Sequence, residues 1–117
     1  MRNSILIALC VIFFYGCTAT EIQSTEDIII SKIYYSSGVL RSVWETRNGK
    51  LNGIKREYNQ DGILTQATNY KNDQIDGFQN AYFEDGSIWT KELYENGKKL
   101  QRFEYDADGY LISEEVK

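Results

Sequence analysis

The sequence predicts an all-β fold: an antiparallel meander of β-hairpin repeats, with about eight strands in an elongated, twisted sheet. Three observations support this prediction. A tyrosine followed four residues later by a glycine recurs, with glycine spacings of 24, 24 and 23 residues. A second turn signal falls eleven residues after each of the first three glycines. The runs between the turns are rich in aromatic and β-branched residues, which strands prefer.

The first element is predicted to be an export signal over residues 1–16. Arg2 supplies a positive charge, and residues 5–15 form an uninterrupted apolar run of eleven residues. Such a run suits a signal peptide, because a transmembrane helix needs about 20 residues. The signal ends in Gly16-Cys17, which resembles the lipobox of bacterial lipoproteins. The resemblance implies that Cys17 becomes the acylated first residue of the mature chain. An ordinary secretory signal cut elsewhere, or an uncleaved anchor, is the alternative.

The two cysteines fit a lipidated chain. Cys10 lies inside the apolar run and would be removed with the signal. Cys17 would then be the one remaining thiol, so no disulfide could form. Residues 17–27 carry Ile22 as their one large apolar residue, and they are predicted to be a flexible tether. The repeat domain is predicted to occupy residues 28–117.

Each repeat unit is predicted to hold two strands, because it contains two turns. A Ser-Gly or Asp-Gly step makes one turn, and an Asn-Gly or Asn-Asp step makes the other. A third glycine column contains Gly53 and Gly77 and has Gln101 as its next member, since the third unit has lost one residue before Tyr105. The predicted strands are 28–35, 39–47, 54–59, 63–71, 78–83, 87–95, 100–105 and 110–115. The glycines assigned to the repeat turns are Gly38, Gly49, Gly53, Gly62, Gly77, Gly86, Gly97 and Gly109.

The repeat resembles the MORN-repeat variant family (membrane occupation and recognition nexus). The motif is Tyr-x-x-x-Gly-x-Leu, then an Asn-Gly-Lys turn, then Gly-x-x-x-x-Tyr, and residues 49–58 match it best. The resemblance covers roughly residues 34–115. It implies an elongated sheet of β-hairpins. It also implies a secreted or lipidated bacterial protein, and some relatives are labelled as antitoxin components. Function is poorly defined in this family, so the fold transfers better than any activity.

Columns of like residues run through the repeat. One column contains tyrosines, and it fits two roles, a core ladder or an aromatic binding stripe. Trp44 and Trp89 are large apolar residues that the repeat does not require. Because tryptophan is enriched among binding hot spots, we predict that these two residues contact a partner. The alternative is that each packs over a neighbouring side chain. The tyrosine column comprises Tyr34, Tyr58, Tyr82 and Tyr105.

Composition excludes several classes of function. The chain has no histidine, which excludes catalytic triads and histidine-ligated metal sites. Its formal net charge of −4 argues against nucleic-acid binding. Residues 104–115 imitate the oxygen spacing of a calcium loop, but the repeat itself generates most of that match at residues 57–68. The aspartates at the turns are explained by their own backbone hydrogen bonds. No catalytic residue, metal or cofactor is therefore predicted.

Two functions fit these observations. The first is a non-enzymatic interaction module on the bacterial cell envelope, which is anchored to a membrane and binds a protein or a cell-wall polymer. The second is an antitoxin or immunity protein that caps a cognate toxin. An antitoxin should be encoded beside its toxin, so the adjacent gene would distinguish the two.

Overall fold

The structure, a computed structural model, is an open antiparallel β-sheet. It describes the backbone of residues 2–13 and 16–117, and the side chains of residues 25–117. Within these ranges all regular elements are strands and no helix is present. The strand order is β1-β2-β3-β5-β6-β7-β8-β9-β10, with the short β4 attached to β3. The all-β hairpin meander is therefore confirmed. The strands are β1 (Arg2–Phe13), β2 (Gly16–Tyr34), β3 (Leu40–Arg47), β4 (Lys50–Leu51), β5 (Gly53–Tyr58), β6 (Leu64–Lys71), β7 (Gln74–Tyr82), β8 (Ile88–Glu95), β9 (Lys98–Tyr105) and β10 (Leu111–Val116).

The N-terminal strand pair covers the predicted signal and tether. β1 pairs with the first part of β2, from Arg2 opposite Asp27 to Phe13 opposite Gly16. β2 thus begins at Gly16 rather than at residue 28. The division of the chain at residues 16 and 27 stays a prediction, and the Cys17 side chain lies outside the described residues. The described part of the chain contains no helix with the length and hydropathy needed to cross a membrane.

The narrow turns, which join β3 to β4, β6 to β7 and β8 to β9, contain two residues each. Both residues have positive φ, for example 48° at Asn96 and 81° at Gly97. This is the type I′ geometry that Asn-Gly favours. Pairing begins directly after such a turn, with Lys71 opposite Gln74 and Glu95 opposite Lys98. The predicted starts of β7 at residue 78 and β9 at residue 100 were therefore wrong.

The wide turns contain Gly38, Gly62, Gly86 and Gly109, and they share one geometry. In the second, the N–H of Gly62 donates to the Asn59 carbonyl at 3.0 Å, and the N–H of Asn59 donates to the Ile63 carbonyl at 2.9 Å. The φ of Gly62 is +81°. The Asn59 Oδ1 also accepts the backbone N–H groups of Asp61 and Ile63, at 2.9 and 3.0 Å. A residue with left-handed backbone conformation closes each wide turn. Because glycine adopts this conformation without strain, glycines recur at the spacing seen in the sequence.

The third glycine column forms β-bulges. Thr68 pairs with Gln79 and Tyr70 with Ile75, so residues 76–78 of β7 lie opposite Asn69 alone. Gly77 has φ +102° in this bulge. In the third unit Leu93 pairs with Gln101 and Tyr94 with Lys99. Leu100 is therefore the one unpaired residue of this smaller bulge. The residue lost from the sequence is lost from this bulge, and the smaller bulge has no glycine.

The repeat domain is one layer thick and lacks a conventional core. Among the described side chains no large residue is fully buried, and Ile28 is the buried hydrophobic residue, 9% exposed. The other buried residues are polar or charged: Ser42, Thr68, Thr90 and Glu92. The sheet therefore depends on its backbone ladders and on contacts between side chains of neighbouring strands.

Candidate functional site

One row of side chains crosses the repeat domain from β2 to β10 on a single face. Register pairs join Lys55 to Thr68, Thr68 to Gln79 and Glu92 to Arg102. Directly opposed residues of antiparallel strands share a face. Trp44 and Lys55 are not a register pair, and the row continues there through the Lys55 ammonium, which lies 5.8 Å from the Trp44 ring centroid. We name it the central row. Its members are Ser31, Trp44, Lys55, Thr68, Gln79, Glu92, Arg102 and Glu115.

Glu92 makes more side-chain hydrogen bonds than any other member of the central row. It is only 7% exposed. Its Oε1 accepts from Lys99 Nζ at 3.0 Å and from the Arg102 guanidinium, and its Oε2 accepts from the Tyr94 hydroxyl at 2.9 Å. Arg102 also lies 3.7 Å from a carboxylate oxygen of Glu104. We name Glu92, Tyr94, Lys99 and Arg102 the Glu92 cluster. It joins β8 to β9 through side chains as well as through the backbone.

The electrostatics of the Glu92 cluster favour its charged state. Burial raises the pKa of Glu92, but the hydrogen bonds from Lys99, Tyr94 and Arg102 together outweigh burial, so this pKa lies below its usual range. Burial and the bond to Glu92 raise the pKa of Tyr94. The hydrogen bond to Glu92 raises the pKa of Lys99 and that of Arg102. A general acid or base at neutral pH would need its pKa moved towards 7. The cluster instead holds a fixed ion pair.

Trp44 occupies the position in its unit that Thr68 and Glu92 occupy in theirs. It is half-buried, and the ammonium of Lys55 lies 5.8 Å from its ring centroid. Lys55 also approaches a carboxylate oxygen of Glu57 at 3.5 Å. Trp44 is thus partly covered by its cross-strand neighbour, while the rest of its ring stays accessible on the face of the central row.

Trp89 lies in a β-bulge. Ala81 pairs with Thr90 and Tyr82 with Ile88, so Trp89 is the residue inserted between them. Its ring packs against Phe83, with ring centroids 6.1 Å apart, yet Trp89 remains 45% exposed. Bulges redirect side chains, and this one displays a large aromatic surface beside a wide turn.

The bulge at Trp89 recurs in every unit. The equivalent residue in the first unit is Arg41, whose guanidinium lies 5.6 Å from the ring centroid of Tyr35. Tyr35 and Phe83 each open a wide turn, so the two bulge contacts are equivalent. The repeat therefore fixes the position of Trp89, and it also places an aromatic residue, Phe83, beside the Trp89 ring.

The tyrosine column lies next to the wide turns. Each tyrosine pairs directly with an aliphatic residue, for example Tyr58 with Leu64 and Tyr82 with Ile88. Tyr58, Tyr82 and Tyr105 are half-buried, whereas Tyr34 at the sheet edge is 55% exposed. These cross-strand pairs are those expected of a ladder.

The carboxylate of Asp106, which opens the last wide turn, contacts the backbone of its own turn. Asp106 Oδ1 accepts the N–H groups of Asp108 and Tyr110, at 3.0 and 2.9 Å. This is the arrangement that Asn59 shows in an earlier unit, and it accounts for the acidic spacing of residues 104–115. Within residues 25–117, no group of three or more candidate ligand side chains could hold a metal ion.

The sequence did not reveal the Glu92 cluster. A usable signal was present, because three replacements coincide when the units are aligned. Where the middle unit has Thr68, Ile75 and Gln79, the third has Glu92, Lys99 and Arg102. A single column of the repeat shows that Glu92 differs from Trp44 and Thr68. It does not show that the residues facing Glu92 become cationic in the same unit.

Comparisons with known proteins assign no family. No family model matches the sequence, and no curated protein matches it. Among solved structures, the chain is similar to a chain in the crystal structure of accessory secretory proteins 1, 2 and 3 of Streptococcus pneumoniae, with 17% identity and a TM-score of 0.49. The match covers 74% of this chain and 17% of that one.

Proposed function

We propose that the chain is a non-enzymatic lipoprotein of the bacterial cell envelope whose repeat sheet binds another macromolecule, a protein or a cell-wall polymer. In this proposal Cys17 carries the lipid, and the repeats belong to the MORN-repeat variant family. The observation that carries the binding function is a one-layer sheet with a large aromatic side chain displayed on it, Trp89 at 45% exposure.

Trp89 is the stronger of the two predicted contact residues. Its exposed ring is held by Phe83 at one side, so little side-chain entropy would be lost on binding. Trp44 is less accessible, because Lys55 lies over its ring. Trp44 shares its face with the rest of the central row, which offers charged and polar groups for the rim of an interface.

The binding function is tested by capture from an envelope extract. The wild-type chain is compared with Trp89→Ala and Trp44→Ala, and Phe78→Ala is the matched control for Trp44→Ala. Phe78 is exposed and pairs with Leu93, which places it on the face opposite the central row. We expect Trp89→Ala to reduce capture of a specific partner about thirtyfold, the loss of a hot spot of about 2 kcal/mol. Trp44→Ala should have a smaller effect and Phe78→Ala none.

Equal capture by all four folded proteins would contradict the assignment of the tryptophans. Capture of a toxin encoded by the adjacent gene would instead support the antitoxin function. The lipid anchor is tested separately, by mass spectrometry of the native protein. We expect diacylglycerol on Cys17 and release of Cys17→Ala from the membrane fraction. A Cys17→Ala protein that remains in the membrane would overturn the anchor and leave the binding function standing.

A further inference from the structure

The exposed apolar residues gather at the two edges of the repeat sheet. Among the described side chains, eleven large hydrophobic residues are exposed, and eight of them lie on or beside β2 and β10. Repeat proteins usually end in polar capping units, because the terminal units have no neighbour to cover them. Here the ends are apolar. The eight residues are Ile29, Ile30, Ile33, Tyr34, Tyr110, Leu111, Ile112 and Val116.

Both edges are open within the described part of the chain. β10 pairs with β9 on one side only. Residues 29–34 of β2 pair with β3, while β1 pairs with β2 only up to Asp27. Each edge therefore presents backbone N–H and C=O groups that a further strand could bind. Leu111 is 49% exposed here, whereas its equivalents Leu40 and Leu64 are half-buried inside the sheet.

The repeat makes the two edges complementary to each other. β10 is equivalent to β8, since Leu111 and Ser113 pair with β9 as Ile88 and Thr90 pair with β7. β2 is equivalent to β7, because Tyr34 and Ile33 pair with β3 as Tyr82 and Ala81 pair with β8. Strands of these two kinds already pair inside the molecule, as β6 with β7 and β8 with β9. A β10 placed beside a β2 would continue the repeat.

The same register specifies the contacts. In β8 and β9, Lys91 pairs with Phe103 and Leu93 with Gln101. Transferred to the edges by repeat equivalence, this register sets Glu114 of β10 opposite Lys32 of β2. It also sets Val116 opposite Ile30. One pair joins opposite charges and the other joins apolar side chains, and each kind stabilises neighbouring strands.

We propose that β10 of one copy of this chain pairs with β2 of a second copy, head to tail. The occupant of each edge is therefore the other edge of an identical molecule. Pairing of β10 with β10 would place the acidic residues Glu114 and Glu115 on both strands of the contact, and pairing of β2 with β2 would place Lys32 on both. Charge therefore favours the heterologous contact, which leaves one edge free at each end and extends into a row of copies. This proposal requires neither the lipid nor the partner of the proposed function.

Cysteine cross-linking tests the contact in the full-length chain purified in detergent. Ile30→Cys and Val116→Cys are prepared separately and then mixed under mild oxidation. We expect the mixture to give at least fivefold more cross-linked dimer than either variant alone. A chain that carries both substitutions should give a ladder of higher oligomers. The unsubstituted chain measures the background from Cys10 and Cys17.

A charge exchange makes the test specific. Introduced into the double-cysteine chain, Lys32→Glu should weaken the ladder about fivefold, because it opposes two like charges. Adding Glu114→Lys should restore it. Circular dichroism checks that each variant is folded. Equal cross-linking in the single variants, a missing ladder, or failure of the exchange to restore the ladder would overturn the proposal.

Discussion

The β6–β7 and β8–β9 hairpins are built on the same plan and stabilised differently. In the first, the buried position of the central row holds Thr68, whose hydroxyl accepts from Gln66 at 3.3 Å. In the second, it holds Glu92, with two cations and a tyrosine hydroxyl around it. The narrow turn is Asn-Asp in the first and Asn-Gly in the second. The repeat determines which positions are buried, whereas the residues placed there determine whether the contact is neutral or ionic.

The largest expected effect comes from breaking the ionic hairpin. Glu92→Thr copies the residue of the neutral hairpin but leaves Lys99 and Arg102 facing no carboxylate. Because these cations are about one-third exposed, the cost is smaller than for a fully buried pair. We expect about 2 kcal/mol of lost unfolding free energy, measured by urea unfolding of the purified chain.

A complete exchange sharpens this comparison. Glu92→Thr combined with Lys99→Ile and Arg102→Gln installs the full set that the neutral hairpin carries at Thr68, Ile75 and Gln79. The triple variant should recover more than half of the stability lost by Glu92→Thr. A triple variant less stable than the single one would show that the two hairpins are not interchangeable.

The second effect concerns the bulges. Gly77→Ala should cost about 1.5 kcal/mol, because φ is +102° and a Cβ would lie 3.2 Å from the Asn69 Cβ. Gly53→Ala is the matched control, with φ +93° and open space around its Cβ. It should cost about 1 kcal/mol. Gln101→Ala, at the smaller bulge of the ionic hairpin, should cost less than either. Equal losses in the two glycine variants, from the same urea unfolding, would remove the contact with Asn69 as a cause.

The third effect is the pH dependence that Glu92 gives to the ionic hairpin. The folded pKa of Glu92 lies below its ordinary value of 4.5. Its contribution to stability is therefore complete above that value and is lost as the pH falls through the lower, folded pKa. Thermal melting between about pH 6 and pH 3 should show a steeper loss of stability in wild type than in Glu92→Gln. Thr68→Val, in the neutral hairpin, should keep the wild-type slope. Parallel curves for wild type and Glu92→Gln would contradict the role of this carboxylate.

Sequence periodicity predicted most of the fold because glycine marks strained backbone positions. Both turn types follow from residues that accept positive φ, such as Asn96 and Gly97. The predicted start of β7 was wrong because Gly77 was assigned to a turn, whereas it lies in a bulge within the strand. The predicted start of β9 was wrong because this strand also begins directly after its narrow turn. The Glu92 cluster was missed because it depends on register across β8 and β9. Pairing of Glu92 with Arg102 is set by the length of the bulge at Leu100, which no single column shows.

The smallest expected effect compares the two narrow turns. Asp73 has φ +69°, a strain that glycine avoids, but its Oδ1 accepts the Leu51 N–H at 2.7 Å. The backbone strain and the hydrogen bond each contribute about 1 kcal/mol with opposite signs, so Asp73→Gly should change stability by less than about 0.5 kcal/mol.

Gly97→Asp should change stability more than Asp73→Gly, although it gives the ionic hairpin the same Asn-Asp turn that the neutral hairpin has at residues 72 and 73. Beside the narrow turn of the neutral hairpin lies Asn52 of the preceding unit, which accepts the Asn72 N–H at 3.0 Å. Beside the narrow turn of the ionic hairpin the equivalent residue is Asp76 of β7, which accepts the Asn96 N–H at 3.2 Å. Because Gly97 meets Ile75 as Asp73 meets Leu51, a carboxylate at position 97 should again offset its backbone strain with a hydrogen bond. Repulsion from Asp76 would remain, so we expect a loss of about 1 kcal/mol. Asp76→Asn in the same chain should return part of that loss, as measured by urea midpoints at low salt. If Gly97→Asp changes the free energy of unfolding as little as Asp73→Gly does, the neighbouring unit has no influence on the narrow turn. The two hairpins would then differ in stability only through the Glu92 cluster.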